Sequence, residues 1–187
     1  MTPDARLSAP APLGVDHDVS VFDCGEPVLD DWLRRRARPN ESRFSRTYVV
    51  CAEARVVGYY SLSAGAVERS AAPGPVRRNA PDMVPVAVVG RLAVDRAHAG
   101  RGLGADLLAD ALRRVAGASE AIGIGAVLVQ AKDERARRFY MRRAEFLEYP
   151  ADSRILFLPI GTVVAALGEA AMSDTAWAGV GIDSGTG

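Results

Sequence analysis

Three glycines alternate in Gly100-Arg101-Gly102-Leu103-Gly104, and from there Leu103, Leu107, Leu108, Ala111, Leu112 and Val115 recur at helical spacing. Glycines at the head of a helix let a ligand approach the backbone closely, and the first-turn N–H groups have no intrahelical acceptor. The helix dipole adds partial positive charge at the same point, so a phosphate or diphosphate is the fitting guest. A tight connection without a ligand is the alternative, but such a turn does not require three alternate glycines. A Walker loop needs Lys and then Ser or Thr after its last glycine, whereas Ala105 and Asp106 stand here. A dinucleotide fingerprint needs G-x-G-x-x-G close behind a strand; here the spacing is G-x-G-x-G and several residues intervene.

The loop must be carried by neighbouring elements. Val84 to Val89 is apolar at both alternate sets of positions, which predicts a central strand covered on both faces, and Gly90 marks a bulge in it. A helix is expected from Asp23-Cys24-Gly25-Glu26-Pro27, with Asp23 as cap, an apolar face of Val28, Leu29, Trp32 and Leu33, and Pro39 as its end. Val19, Val21 and Phe22 suggest an edge strand before it. Arg46 to Ala52 and Arg55 to Ser63 read as a hairpin turning at Glu53-Ala54. Gly65 to Pro85 reads as a long loop, functional or disordered, carrying Arg77 and Arg78. Ala126 to Gln130 is a short strand, Asp133 opens a helix bearing Ala136, Phe139 and Tyr140, Ile155 to Leu158 is a last strand, and Thr162 to Ala171 a terminal helix. Alternating strands and helices give an α/β (α+β) layer fold with a mixed sheet.

With 187 residues and 49% hydrophobic content, one core is sufficient, so residues 1–172 are expected to form one domain and residues 173–187 a disordered tail. The formal net charge is zero, so a polyanionic partner must be met by local patches. Asp4 and three prolines before Leu13 do not make a signal peptide, and no apolar run is long enough to span a bilayer, which points to a cytoplasmic protein without a membrane partner. Cys24 and Cys51 read as buried, reduced fillers, and with only His17 and His98 besides them no metal site is expected.

The stretch LAVDRAHAGRGLGADLL resembles the acetyl-CoA signature of the GNAT superfamily of N-acetyltransferases, with Ala99 where that family usually carries Gln or Arg. The resemblance implies a GNAT-like fold: a mixed, mostly antiparallel sheet with a splayed strand pair and helices on both faces. It implies that Leu92, Ala93 and Val94 pair with the pantetheine arm of acetyl-CoA. The amides of Gly100, Arg101, Gly102, Leu103, Gly104 and Ala105 would hold the diphosphate, with Phe139 beside them. Further stretches, FDCGEPVLDDWL, SRTYVV, GYYSLS, RRNAPD and DERARRFY, together resemble the narrower group of TacT-type toxins of toxin-antitoxin modules. Within that group Tyr140 corresponds to the general acid and the Val94 N–H to the donor that polarises the thioester. From periodicity alone Tyr140 would count as a core aromatic. The family's Gly-Phe after this helix is replaced here by Ala144, Glu145 and Phe146.

No side chain offers itself as a base. A lysine amine, of pKa about 10.4, would need one, whereas an α-amine at about 7.7 to 8.0 is already neutral in part at pH 7. An α-amine therefore fits better, and the toxin resemblance implies the aminoacyl end of charged tRNA, with Arg35, Arg38, Arg77 and Arg78 as candidate phosphate contacts. It further implies a ribbon-helix-helix antitoxin partner and a homodimer. Two alternatives stay open at this level: acetylation of a small amine or protein N-terminus, and an antitoxin-docking co-repressor with weak or no catalysis.

Overall fold

The computed structural model describes residues 6–149 and 151–178, with side chains as far as residue 171. In chain order the elements are β1 (Ala11–Pro12), α1 (Pro27–Arg35), α2 (Ala37–Asn40), β2 (Arg46–Ala52) and β3 (Arg55–Glu68). Then follow α3 (Gly74–Arg77), β4 (Met83–Val94), α4 (Leu103–Ser119), β5 (Ala126–Gln130), α5 (Glu134–Arg143), β6 (Leu147–Tyr149), β7 (Asp152–Pro159) and α6 (Ile160–Ala178). They build one seven-stranded sheet in the order β1-β2-β3-β4-β5-β7-β6. Among the described strands only β4 and β5 pair in parallel, so the sheet is mixed and mostly antiparallel, as expected.

Both faces are covered. On one, α4 inserts Leu107, Leu108 and Ala111 against Val57, Tyr60, Val89 and Val127, with Tyr140 of α5 and Val163 of α6 in the same cluster. On the other, Trp32, Leu33 and Ala37 of α1 and α2 pack on Val49, Val56 and Tyr59. Gly58 lets the first of these layers close, because a Cβ there would lie 3.0 Å from a methyl of Leu107 and 3.2 Å from one of Leu103.

The register of β4 decides which residues face α4. Its pairing with β3 slips between Leu62↔Val89 and Ser61↔Arg91, so Gly90 is the extra residue of a bulge. Before it Ala87 and Val89 face α4; after it Leu92 and Val94 do, while Ala93 turns to the α1 side. Pairing between β4 and β5 stops at Val89↔Val129, although β4 continues to Val94. The two strands therefore part in a V.

Several expectations change. Residues 65 to 85 are not one long loop: β3 runs on to Glu68, β4 starts at Met83, and α3 lies between. Gly65 pairs with Val86 inside the hairpin, where a Cβ would come within 3.0 Å of Val88, so this glycine serves close packing and not a turn. The edge strand is Ala11–Pro12 and not the segment at Val19, whose Val19 and Phe22 are instead buried under α1. Asp23 does not cap α1. Its Oδ1 accepts from the Gly25 N–H at 2.9 Å, and the helix starts at Pro27, which has no N–H to satisfy. Val28 is 79% exposed, so the buried face is narrower than predicted.

Pro39 acts earlier than expected. The ring of a proline conflicts with the carbonyl four residues back, and α1 accordingly stops at Arg35, leaving Pro39 inside the short helix α2. Strand β6 was not anticipated; it is three residues long and pairs only with β7. Helix α6 extends to Ala178, beyond Ser173 where the tail was expected, and residues 179–187 lie outside the described residues.

Candidate active site

The V between β4 and β5 opens onto a cleft of about 470 Å³ bounded by the head of α4 and by α5. Leu92, Ala93, Val94, Gly100, Gly102, Leu103, Gly104, Ala105, Phe139 and Tyr140 all line it, so one cavity gathers nearly every residue singled out for acetyl-CoA or catalysis. Arg101 is not among the lining residues.

The glycine loop is shaped by backbone demands. Gly100 has φ +77° and Gly102 φ +87°, the left-handed region that favours glycine. Neither is crowded, so conformation and not space requires them. Gly102 is the residue before α4, and its carbonyl already accepts the Ala105 N–H at 3.0 Å and the Asp106 N–H at 3.2 Å. The amides of Leu103 and Gly104 have no intrahelical acceptor and form the anion-binding head of the helix. Ala105 contributes lining more than a free donor. The preceding turn is fixed by Asp95, a buried carboxylate that accepts from the N–H groups of Ala97 at 2.9 Å and Asp23 at 3.2 Å. His98 packs beside it, its Nδ1 3.9 Å from Asp95 Oδ1.

Val94 is positioned by the parting of the strands. The Asp95 N–H donates to the Val57 carbonyl of β3 at 2.9 Å. Successive N–H groups of an extended strand point to opposite sides, so the Val94 N–H is directed away from β3 into the gap. Opposite it, α5 is preceded by Asp133, whose Oδ1 caps the helix by accepting from the Ala136 N–H at 2.8 Å. Helical spacing then delivers Phe139 beside Gly104, with ring carbons 3.6 Å from where a Cβ would be. Tyr140 is buried edge-on between Phe139 and Phe146, at centroid distances of 5.2 and 5.7 Å. Phe146 thus supplies the aromatic neighbour despite the altered Ala144-Glu145 preceding it. Burial alone pushes the Tyr140 hydroxyl up to about 12, so it keeps its proton throughout the neutral range.

The four arginines expected to contact phosphates do not gather here, although Arg135 and Arg143 line the cleft. Arg77 and Arg78 line a separate cleft beside Gly74 and Pro75. Arg35 is exposed and 3.8 Å from Asp31. Arg38 donates to the carbonyls of Gly14 at 3.3 Å and His17 at 2.6 Å, so its guanidinium holds the N-terminal turn.

Cys24 differs from expectation: it is half-buried and lines the cleft, with its thiol pushed up to about 12 by burial and by the adjacent Asp30, so it is no thiolate. Sequence reasoning also missed Glu26, Lys132 and Arg135 on the cleft wall. The one signal was that Lys132 is the chain's single lysine. No cluster of metal-ligating side chains occurs among the described residues, and none of their helices is long and apolar enough to cross a membrane.

The cleft accommodates acetyl-CoA on its own geometry: two helix-head amides without an intrahelical acceptor, a parted strand edge and a protonated hydroxyl across from it. Comparison with known proteins agrees. A tRNA-acetylating toxin of Mycobacterium tuberculosis (strain ATCC 25618 / H37Rv) is 46% identical over 163 residues, spanning 87% of this chain and 98% of that one. A solved structure of AtaT complexed with acetyl-methionyl-tRNAfMet superposes with a TM-score of 0.78 at 32% identity, covering 87% of this chain and 99% of that one. AtaTR bound with AcCoA matches with a TM-score of 0.74 at 33% identity, over 86% and 98% of the two chains. The model of the acetyltransferase (GNAT) family matches residues 15–146, and with this fold and cleft the chain belongs to the GNAT family of acetyltransferases.

Proposed function

We propose that the protein is a toxin that transfers acetyl from acetyl-CoA to the α-amine of aminoacyl-tRNA and so blocks translation. The observation that carries this reading is a cleft that pairs a helix-head anion site with the protonated, buried Tyr140, in a chain 46% identical to a tRNA-acetylating toxin. In this mechanism the amides of Leu103 and Gly104 bind the diphosphate. The edge from Leu92 to Val94 aligns the pantetheine arm, and the Val94 N–H donates to the thioester carbonyl oxygen as charge develops there. The neutral α-amine attacks the thioester carbon, the C–S bond breaks as Tyr140 gives its proton to the departing thiolate, and the proton shed by the new amide nitrogen passes to water, from which the tyrosine is restored. A hydroxyl at about 12 is a weaker acid than a free thiol, but the dry site that raises Tyr140 disfavours the thiolate as well, which narrows the gap between them.

Arg77 and Arg78, beside a second cleft, are proposed to contact tRNA phosphates, with exposed Arg35 as a further contact. Arg38 is withdrawn from that role by its bonds to Gly14 and His17. A cognate antitoxin would neutralise the enzyme, as the solved complexes of AtaT with the antitoxin AtaR suggest. We take that antitoxin to be of the ribbon-helix-helix type, the enzyme to be a homodimer, and its place of action to be the cytoplasm, where charged tRNA is found. The test is an acetylation assay offering charged tRNA, an N-terminal peptide and free amines side by side. Preference for charged tRNA supports the reading; rapid acetylation of the others with charged tRNA untouched overturns it.

A further inference from the structure

The open end of the V is strapped by two side chains from distant parts of the chain. Glu26 belongs to the β4 side, since its neighbours Asp23 and Gly25 lie against Arg96, just beyond the end of β4. Lys132 follows the end of β5. The two form an ion pair across the gap, and both line the cleft that holds Val94 and Tyr140. Their side chains are 46% and 48% exposed, and a pair so open to water adds little to stability. Bracing the fold is therefore a poor explanation of its location.

The pair is also easy to open. Lys132 Nζ has a second carboxylate, Asp133, at 3.5 Å, and that carboxylate is held in place by its bond to the Ala136 N–H. Lys132 can leave Glu26 without losing an anionic partner. The hydrogen bond to Glu26 also holds the Lys132 ammonium above its ordinary range, so this lysine stays cationic and is not itself an acceptor of acetyl. An α-amine, with a pKa of about 7.7 to 8.0, reaches the enzyme at neutral pH largely as a cation. It carries the same charge as the group already resting on Glu26.

We propose that Glu26 is a specificity residue for the acceptor: its carboxylate, covered by Lys132 in the free enzyme, receives the α-amine of the incoming aminoacyl group while Lys132 moves to Asp133. This rests on the reading of an α-amino acceptor given above. The ammonium seated there releases its proton to water before its nitrogen attacks the thioester, and the pair acts as a charge-selective gate at the acceptor side of the cleft.

The test uses the full-length enzyme with charged tRNA as substrate and, as competitor, the same tRNA esterified with the matching α-hydroxy acid, which lacks the amine. Wild type is expected to bind the amino form more tightly than the hydroxy form. Glu26→Gln should erase that preference and raise KM for charged tRNA about tenfold or more, the usual size of a lost hydrogen bond between charged groups. Acetyl-CoA affinity by calorimetry should stay near wild type, which also reports that the variant is folded. The exchange Glu26→Lys with Lys132→Glu rebuilds the ion pair with its ends reversed and should not restore the preference. Recovery in the exchanged protein, or an unchanged preference in Glu26→Gln, overturns the inference and leaves acetylation of tRNA standing. A wild-type enzyme that leaves charged tRNA unacetylated overturns the proposed function, and this inference with it.

Discussion

Tyr140 is one residue in which burial and chemistry meet. Its hydroxyl lies in an aromatic pocket, and desolvation moves its pKa up to about 12. The sign of the consequence is definite. As pH rises the acceptor amine loses its proton and the rate should climb, while an ordinary tyrosine acid would begin to lose its proton near about 10. With Tyr140 raised, a pH profile of kcat should rise to a plateau above about pH 9 and hold it to about pH 10.5; a decline centred near pH 9 to 10 would show that another group is the acid. Replacing Tyr140 with Phe should lower kcat by about 10² to 10³-fold, within the usual range for general acid catalysis. Acetyl-CoA affinity should be little changed, because the Phe139 and Phe146 packing does not depend on the hydroxyl. Calorimetry and single-turnover assays check the two parts separately.

At the scale of elements, the junction of β4 with α4 carries the binding of acetyl-CoA. Gly102 holds φ +87°, so Gly102→Ala should destabilise the protein by about 1 to 2 kcal/mol in urea unfolding and weaken acetyl-CoA binding at least tenfold. Gly104 is different. It is helical, and its nearest neighbours, Phe139 and Val94, are at ordinary contact distance. Gly104→Ala should accordingly raise stability by about 0.5 to 1 kcal/mol through helix propensity. The bulge at Gly90 is the second device. Deleting that residue would regularise the pairing with β3 but exchange the faces of Leu92, Ala93 and Val94, so acetyl-CoA binding should vanish even where circular dichroism reports a folded sheet.

Across the whole molecule, the layers are tied by a polar cluster on the α4 face. The Tyr60 hydroxyl donates to Asp110, the Arg114 Nε donates to the same carboxylate at 2.8 Å, and an Arg114 guanidinium N–H reaches the Pro10 carbonyl at 3.2 Å. Arg114 also lies over the Tyr48 ring, 4.0 Å from its centroid. One carboxylate thereby joins α4 to β3 and, through Arg114, to β2 and the residue before β1. Asp110→Ala should cost about 2 to 4 kcal/mol in chemical unfolding, since it leaves the largely buried Tyr60 hydroxyl and a guanidinium without their anion. Far from this cluster, replacing both Arg77 and Arg78 with Glu should raise KM for charged tRNA and reduce its salt dependence by a slope of about 2, with acetyl-CoA affinity unchanged. Equal loss of both affinities would point to misfolding. The glycine loop, the capped start of α5 and the strands from Arg46 to Ala52 and from Ala126 to Gln130 were legible in the sequence, because turn dihedrals, caps and apolar runs are demands a segment makes of itself. The continuation of β3 through Gly65 to Glu68, the early end of α1 before Pro39 and the half-exposed Cys24 were not, because what surrounds a residue depends on chain remote from it. The same holds for the meeting of Glu26 with Lys132 and for the aromatic enclosure that raises the Tyr140 hydroxyl above its ordinary range. Local conformational needs are written in consecutive residues, but desolvation and charge pairing exist only once distant segments have packed together.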